Sequence, residues 1–566
     1  MAEYYHTHLA SVLQTVLPRG ITTKRRAKKQ LLPEVKRDRT HFVFNKDQLM
    51  ALEQLSDSSP GTVLLHGVTG SGKTAVYIEY AKQTLAAGKS VILLVPEIAL
   101  TSQLVAEFRQ FFPDIILTHS RQTEAERHLC WLDAISSSRP RVVIGPRSAL
   151  FMPLSDIGAI IIDEAHEPSF KQDQAPRYSA LRVAGVLAQQ HNGLVIQGSA
   201  TPLISEYYLA EHNRRPIITL PRRARSDAKT PDVTVVDMTK KDSFRQHRFM
   251  SDKLISTIQQ TLDSKHQVLI FHNRRGSAST SLCESCGWSA MCPRCFVPFT
   301  LHADKHQLRC HICDTNERVP TSCPVCQSTD IVHKGIGTKL IESEIRKLFP
   351  GHTIARFDGD THDSDTVESQ YQALYDGSID VIIGTQVIAK GLDLPKLRAV
   401  GVIQADAGLS LPDFAASERT FQLLAQVIGR VGRSSHTTHV IVQSYQPDAS
   451  AVKYGIAQDY KNFYVETLEI RRKSNFPPFT HLLKLTCIYK TEAVAIKNAK
   501  ALAATLRSTF PSVSILGPTP AFYERQRDTY RWQLTIKSSS RSSLLAIIDQ
   551  LPANGWQYDI DPASLL

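Results

Sequence analysis

Thr62-Val-Leu-Leu-His66-Gly67-Val68-Thr69-Gly70-Ser71-Gly72-Lys73-Thr74 joins an apolar, strand-like run to a glycine-rich loop, and a helical run follows to about Ala87. The loop has the form GxxxxGK[ST], in the strand–loop–helix setting that this pattern requires. Its glycines let backbone N–H groups close around phosphates at a helix N-terminus, while Lys73 reaches the β/γ-phosphates and the Thr74 hydroxyl ligates Mg²⁺. Gly67, Val68, Thr69, Gly70, Ser71, Gly72, Lys73 and Thr74 are therefore expected to hold ATP. From His41 onward apolar runs alternate with helical stretches, which predicts an α/β fold with a parallel sheet.

The expected partner of the loop is Ala159-Ile-Ile-Ile-Asp163-Glu164-Ala-His166. An apolar strand delivers Asp163 to its C-terminal end, where an acid can hold Mg²⁺ through water, and Glu164 beside it can polarise the attacking water. An acidic turn after a strand is unremarkable alone; with the loop upstream it points to ATP hydrolysis. A further strand, Leu194 to Gln197, ends in Gly198-Ser-Ala-Thr-Pro202, small polar residues suited to sensing a neighbouring domain.

A second α/β unit lies downstream. Gln267 to Asn273 reads as a strand, Gly335 to Phe349 as a loop and helix, Asp380 to Gln386 and Ala399 to Ile403 as strands, and Phe421 to Val427 as a helix. This unit has no phosphate loop of its own. It offers Arg430 and Arg433 at a helix end, which are either a surface charge pair or arginine fingers that complete the first unit's ATP site.

Between that unit's first strand and its first helix, Cys283 to Cys326 holds eight of the ten cysteines as four CxxC pairs. Each pair can put two thiolates on one face of a turn, so four pairs predict two Cys₄ zinc sites. Gaps of 5, 14 and 9 residues favour a nested arrangement. Cys292, Cys295, Cys310 and Cys313 would close one site, and Cys283, Cys286, Cys323 and Cys326 the other. Pairing of consecutive pairs stays open. A disulfide framework or a redox pair fits less well, because nothing else looks secreted and four repeats exceed a redox motif. His302 and His311 are expected at the surface or behind the thiolates, and Cys130 and Cys487 as buried free thiols.

At 566 residues and 42% hydrophobic content, the chain can bury several cores, and its 66 Lys and Arg against 54 Asp and Glu leave a formal charge of +12. That balance favours a polyanionic partner. No run of 18 apolar residues could span a membrane and no early segment resembles a signal peptide, so a cytoplasmic setting with no membrane is expected. Ala2 to Pro18 predicts one short helix. Arg19 to Arg39 carries nine Lys and Arg against two acids, either a solvated linker or a phosphate-binding run. The last stretch reads strand–helix–strand–strand–helix–strand, with strands at Thr480–Tyr489, Val513–Leu516, Tyr530–Ile536 and Trp556–Ile560. That is the ferredoxin-like order.

Together, Gly67–Thr74, Pro96-Glu-Ile-Ala-Leu-Thr101, Asp163–His166, Gly198–Thr201, Gly384–Gly391 and Gln426–Arg433 resemble the ordered motifs of superfamily 2 helicases. Asn273-Arg-Arg-Gly276 followed at once by the cysteines is similar to the replication-restart helicases, the PriA or primosomal protein N′ family. So are Gly384-Thr-Gln-Val-Ile-Ala-Lys-Gly391, Ala405 to Phe414, Gly517 to Ala521 and Tyr530-Arg-Trp-Gln533. The resemblance runs from about residue 41 to the end. It implies two RecA-like motor lobes, the cysteine-rich insertion in the second, and a small α+β C-terminal domain. The expected boundaries are 1–40 for a helix and basic linker, 41–218 and 219–475 for the lobes, 283–326 for the insertion, and 476–566 for the last domain.

By the same resemblance Gln48 reads adenine, Gly391 and Asp393 line the nucleotide site, Arg430 and Arg433 contact the γ-phosphate, and the zinc pairing is the nested one. Phe170-Lys-Gln172 through Arg177-Tyr178 resembles the family's aromatic-rich loop, where Phe170 or Tyr178 would stack a DNA base unless both are ordinary packed rings. Two family acids are replaced, by Ala165 and Lys339, at positions that hold no metal. Tyr4-Tyr-His6 and Val12 to Pro18 resemble the junction after an N-terminal DNA-end-binding domain, which is expected to be missing here, through a start further upstream or a reduced form. The implied function is an ATP-dependent 3′→5′ DNA helicase, with ATP, Mg²⁺ and two Zn²⁺, that recognises stalled or branched forks and helps reload the replicative helicase. Its implied partners are branched and single-stranded DNA, single-stranded DNA-binding protein and primosome proteins, and a monomer is expected. A double-strand translocase, or a zinc-dependent scaffold with an ATP switch, are the alternatives.

Overall fold

The computed structural model describes residues 1–19, 42–96, 102–112, 114–119, 122–224, 229–273, 281–302, 306–332, 336–357, 370–385, 394–431 and 436–566. The chain separates into two compact units, Met1–Asp227 and Ala228–Leu566. Most of the basic run, Glu97 to Thr101, Arg274 to Gly276, Gln386 to Asp393 (with Gly391 and Asp393) and Arg433 lie outside the described residues.

The first unit opens with α1 (Leu9–Val16), shorter than expected, and α2 (Lys46–Ser56). Its sheet contains β1 (Gly61–Gly67), β2 (Ser90–Leu94), β3 (Ile115–Leu117), β4 (Val142–Gly145), β5 (Ile157–Ile162), β6 (Leu194–Ser199) and β7 (Ile217–Leu220). The order is β3-β4-β2-β5-β6-β1-β7, with every pair parallel. Parallel strands covered on both faces read as unbroken apolar runs, and β2 and β5 show why. Val91 and Leu93 pack into one core with α2 and α3 (Lys73–Ala86), while Ile92 and Leu94 pack into a second core with the helix Ala180–Gln190. This is a RecA-like lobe.

The second unit repeats the plan with β8 (Asp232–Asp237) and β9 (Gln267–Phe271). The insertion then supplies β10 (Leu282–Cys283), β11 (Thr300–His302), β12 (Gln307–Arg309), β13 (Asn316–Arg318) and β14 (Ile331–Val332). The lobe resumes with the helix Thr338–Leu348, then β15 (Ile354–Phe357), β16 (Val381–Gly384), β17 (Leu397–Val402) and β18 (His439–Ser444). The sheet order β15-β16-β9-β17-β18-β8 is parallel throughout, and Leu269 and Phe271 face one core while Val268 and Ile270 face the other. The cysteine-rich segment is thus an insertion between the central strand and the next helix. Antiparallel pairing of β10 with β14 closes its stem, and β11-β12-β13 form a small sheet within it. The helix expected at Phe421 to Val427 runs from Ala416 to Val431.

The last domain holds β19 (His481–Tyr489), β20 (Ser514–Gln526), β21 (Thr529–Ser538) and β22 (Trp556–Ile560), with helices Glu492–Thr509 and Arg541–Ile548. Its antiparallel order β20-β21-β19-β22 is that of the ferredoxin-like fold. β20 is much longer than the expected Val513–Leu516. Two register shifts, after Leu516 and after Pro520, carry it past prolines that a regular ladder would not admit.

Candidate nucleotide site and metal centres

The phosphate loop connects β1 to α3, and Gly70 (φ +79°) and Gly72 (φ +82°) take the left-handed backbone it needs. Lys73 Nζ donates to Gly67 O at 2.9 Å, and Val68 N to Leu220 O at 3.1 Å, which ties the loop's start to β7. Gln48 is buried and doubly engaged. Its Oε1 accepts from Asn45 N at 2.9 Å, closing the N-terminal box of α2, while its Nε2 donates to Ser71 O at 3.0 Å. Gln48 therefore joins α2 to the loop, and a further N–H and a lone pair stay uncommitted by those bonds.

Asp163 follows β5 directly and is partly buried. Burial, with Glu164 adjacent, pushes its carboxyl up to about 6, against the pull of Lys73. Tyr77 of α3 donates to Asp163 Oδ1 at 3.2 Å, so the first turns of α3 and the end of β5 face each other. Glu164 sits at φ +48°, a backbone region unusual for a residue with a Cβ. The turn is stitched to the end of β6: Ala165 N donates to Gly198 O at 2.9 Å, and His166 Nδ1 lies 2.8 Å from Ser199 Oγ. Ser199 Oγ also accepts from Thr201 N at 2.9 Å. These ties join Asp163–His166 to Gly198–Thr201 inside one lobe. The Tyr77 contact was missed in the sequence, since three residues past Thr74 a tyrosine reads as helix core.

The aromatic segment needs a correction. Phe170 is 2% exposed and Tyr178 1%, with Tyr178 edge-on to Phe151 at 5.4 Å. A base stacks on an open ring face, and neither ring has one, so both are core residues. What reaches the segment is the N-terminal Tyr5, whose hydroxyl accepts from Ser179 N at 2.9 Å while Lys171 Nζ lies 5.6 Å from its ring centre.

The eight cysteines of the insertion form two clusters in the nested arrangement. Cys283, Cys286, Cys323 and Cys326 make one, Cys292, Cys295, Cys310 and Cys313 the other, with all ligand atoms of a cluster within 4.8 Å of one another. Cys283–Cys326, Cys286–Cys323 and Cys292–Cys313 have Sγ–Sγ distances of 3.6 Å. A tetrahedron with Zn–S near 2.3 Å has S–S edges of about 3.8 Å, so the thiolates fit zinc and are too far apart for disulfides. The four CxxC turns share one build. Gly287, Phe296, Asp314 and Gln327 each donate their N–H to the carbonyl of the first cysteine, and each has positive φ. His311, expected at the surface or behind the thiolates, is buried, and burial pushes its imidazole down to about 3; its Nε2 lies 2.9 Å from His302 Nε2. Cys130 is half-buried and Cys487 buried.

Arg430 belongs to the last turn of the helix Ala416–Val431. No helix among the described residues is long and apolar enough to cross a membrane.

Three family models match: DEAD/DEAH box helicase over residues 45–208, helicase conserved C-terminal domain over 304–435, and primosomal protein N C-terminal domain over 472–563. Curated relatives carry one name, replication restart protein PriA. That of Bacillus subtilis is 37% identical over 88% of this chain and 62% of its own length. That of Haemophilus influenzae is 37% identical over 89% and 69%, and that of Treponema pallidum 36% identical over 100% and 86%. This chain thus spans less than two thirds of the first of these and most of the third.

Proposed function

Since this chain belongs to the PriA family of replication restart proteins, we propose that it is an ATP-dependent 3′→5′ DNA helicase that acts at stalled or branched forks and helps reload the replicative helicase. The observation that carries the chemical part is the meeting of the phosphate loop with the Asp163–Glu164 turn, bridged by the Tyr77–Asp163 hydrogen bond. In this reading the loop amides and Lys73 hold the β/γ-phosphates, and Thr74 with Asp163 holds Mg²⁺. Glu164 takes the proton of the attacking water. Gln48 reads adenine with the hydrogen-bonding capacity left to it. Arg430, Arg433, Gly391 and Asp393 are assigned to the nucleotide from the second lobe by family resemblance. The two Cys₄ clusters hold structural Zn²⁺, and the partners are branched and single-stranded DNA, single-stranded DNA-binding protein and primosome proteins.

The test is ATPase rate with a panel of DNA structures, followed by strand displacement against triplex displacement. Stimulation by single-stranded or forked DNA together with strand displacement supports the proposal. Triplex displacement alone would make the protein a double-strand translocase, and slow hydrolysis indifferent to DNA would make it an ATP-switched scaffold.

A further inference from the structure

We propose that Tyr77 is a positioning residue for the magnesium ligand, holding one oxygen of Asp163 so that the other is presented to the metal. The inference rests on the nucleotide reading above and extends it to a residue outside the recognised motifs. Tyr77 lies one helical turn beyond Lys73 and Thr74 and is fully buried. Its hydroxyl is aimed at Asp163 Oδ1, 3.2 Å away.

Gly198 makes the room for that contact. A Cβ built on Gly198 would fall on the Tyr77 hydroxyl, and its distance to Tyr77 Cζ would be 2.8 Å, closer than real contacts allow. Glycine is required here by space, since the backbone of Gly198 is not in the left-handed region. Its carbonyl meanwhile accepts from Ala165 N at 2.9 Å. One small residue at the end of β6 thus admits the tyrosine and fixes the turn that carries Asp163 and Glu164.

A carboxylate in this partly buried place needs donors to favour its ionised form and a single rotamer. Lys73 must be free to turn toward phosphate, whereas Tyr77 can stay on Asp163 throughout, because it is packed on all sides. Hydrogen bonds behind a ligating group commonly change metal affinity by about 10–100-fold.

Tyr77→Phe keeps the ring and deletes the hydroxyl. Binding of a fluorescent ATP analogue is titrated with Mg²⁺ and, separately, measured in EDTA, with thermal melting as a control on folding. The expected result is a half-saturating Mg²⁺ concentration raised about tenfold or more, with metal-free binding and melting unchanged. Gly198→Ala, which pushes the hydroxyl away without removing it, is expected to give the same shift. An unchanged Mg²⁺ titration in Tyr77→Phe overturns the inference, and so does an equal loss of metal-free binding, which would make Tyr77 merely structural. Wild-type binding that ignores Mg²⁺, or no binding at all, overturns the nucleotide reading and this inference together.

Discussion

His66 and Asp163 both feel the charge of Lys73, and burial moves them in opposite senses. Burial first, then Lys73, pushes the His66 imidazole down to about 4, while burial and Glu164 push Asp163 up to about 6. A histidine depressed in the fold binds fewer protons there than when unfolded, so its contribution is lost as pH falls from about 6.5 toward 4, a swing of about 3 kcal/mol. Asp163 runs the other way, since a raised carboxyl contributes most at low pH and loses that contribution as pH climbs through about 6. The two largely cancel between pH 4 and 6. His311, pushed down to about 3, adds to the His66 sense, so denaturant unfolding across that window should find wild type weaker toward pH 4. Relative to wild type, His66→Gln should lose stability as pH rises, and Asp163→Asn should gain it; parallel curves for all three would refute the assignment. Lys73→Ala should abolish hydrolysis and leave DNA affinity nearly intact, because basic surface supplies most of that affinity. DNA-stimulated turnover retained by Lys73→Ala would remove Lys73 from the phosphate site.

At the scale of elements, the two cysteine clusters fasten the insertion to different neighbours. The inner cluster shares a hydrophobic core with Phe476, Leu482 and Leu565 of the C-terminal part. The carbonyl of His311, between two of its ligands, accepts from both Thr519 Oγ1 and Gln533 Nε2 at 2.8 Å, and Arg309 lies over the Trp532 ring at 5.2 Å. The outer cluster instead abuts the end of β18. Tyr445 donates to Glu284 at 3.2 Å, and Lys241 pairs with Asp330 at 2.9 Å across an exposed surface. Losing the inner metal should therefore loosen β19–β22, while losing the outer one should spare them. Hydrogen exchange on peptides from 481–566 should rise in Cys310→Ser and stay near wild type in Cys323→Ser, each with one zinc of two by metal analysis. Equal exchange in both variants would mean that the clusters do not divide this work.

For the whole molecule, a formal charge of +12 on 566 residues predicts binding to single-stranded DNA that weakens steeply with salt. A contact with five phosphates would give a slope of log K on log salt of about −3.5. Anisotropy titrations at several salt concentrations measure it, and a slope near zero would deny the electrostatic footprint. Arg430→Ala and Arg433→Ala should each lower kcat by about 10³-fold or more while leaving ATP binding almost unchanged, as arginine fingers act on charge that develops in the transition state. A variant with unaltered kcat would show that its arginine is structural.

Local pattern alone determined a good deal. The loop Gly67–Thr74 announced a strand before it and a helix after it, because only that setting presents backbone N–H groups to phosphate. The unbroken apolar runs at β2, β5 and β9 announced strands covered on both faces. The cysteine spacing favoured the nested clusters, since short gaps limit which turns can meet. Tertiary structure decided what depends on residues far apart in the chain. Phe170 and Tyr178 turned inward because the lobe around them closes over both rings, and no local spacing distinguishes a buried aromatic from a stacking platform. His311 became an anchor through its carbonyl, a group that every residue carries. Tyr77 acquired a role because Gly198, 121 positions later in the chain, leaves a space the width of one methyl group. A pattern records what a residue can do, whereas burial and partners, set by the packing of distant segments, select which of those capacities is used.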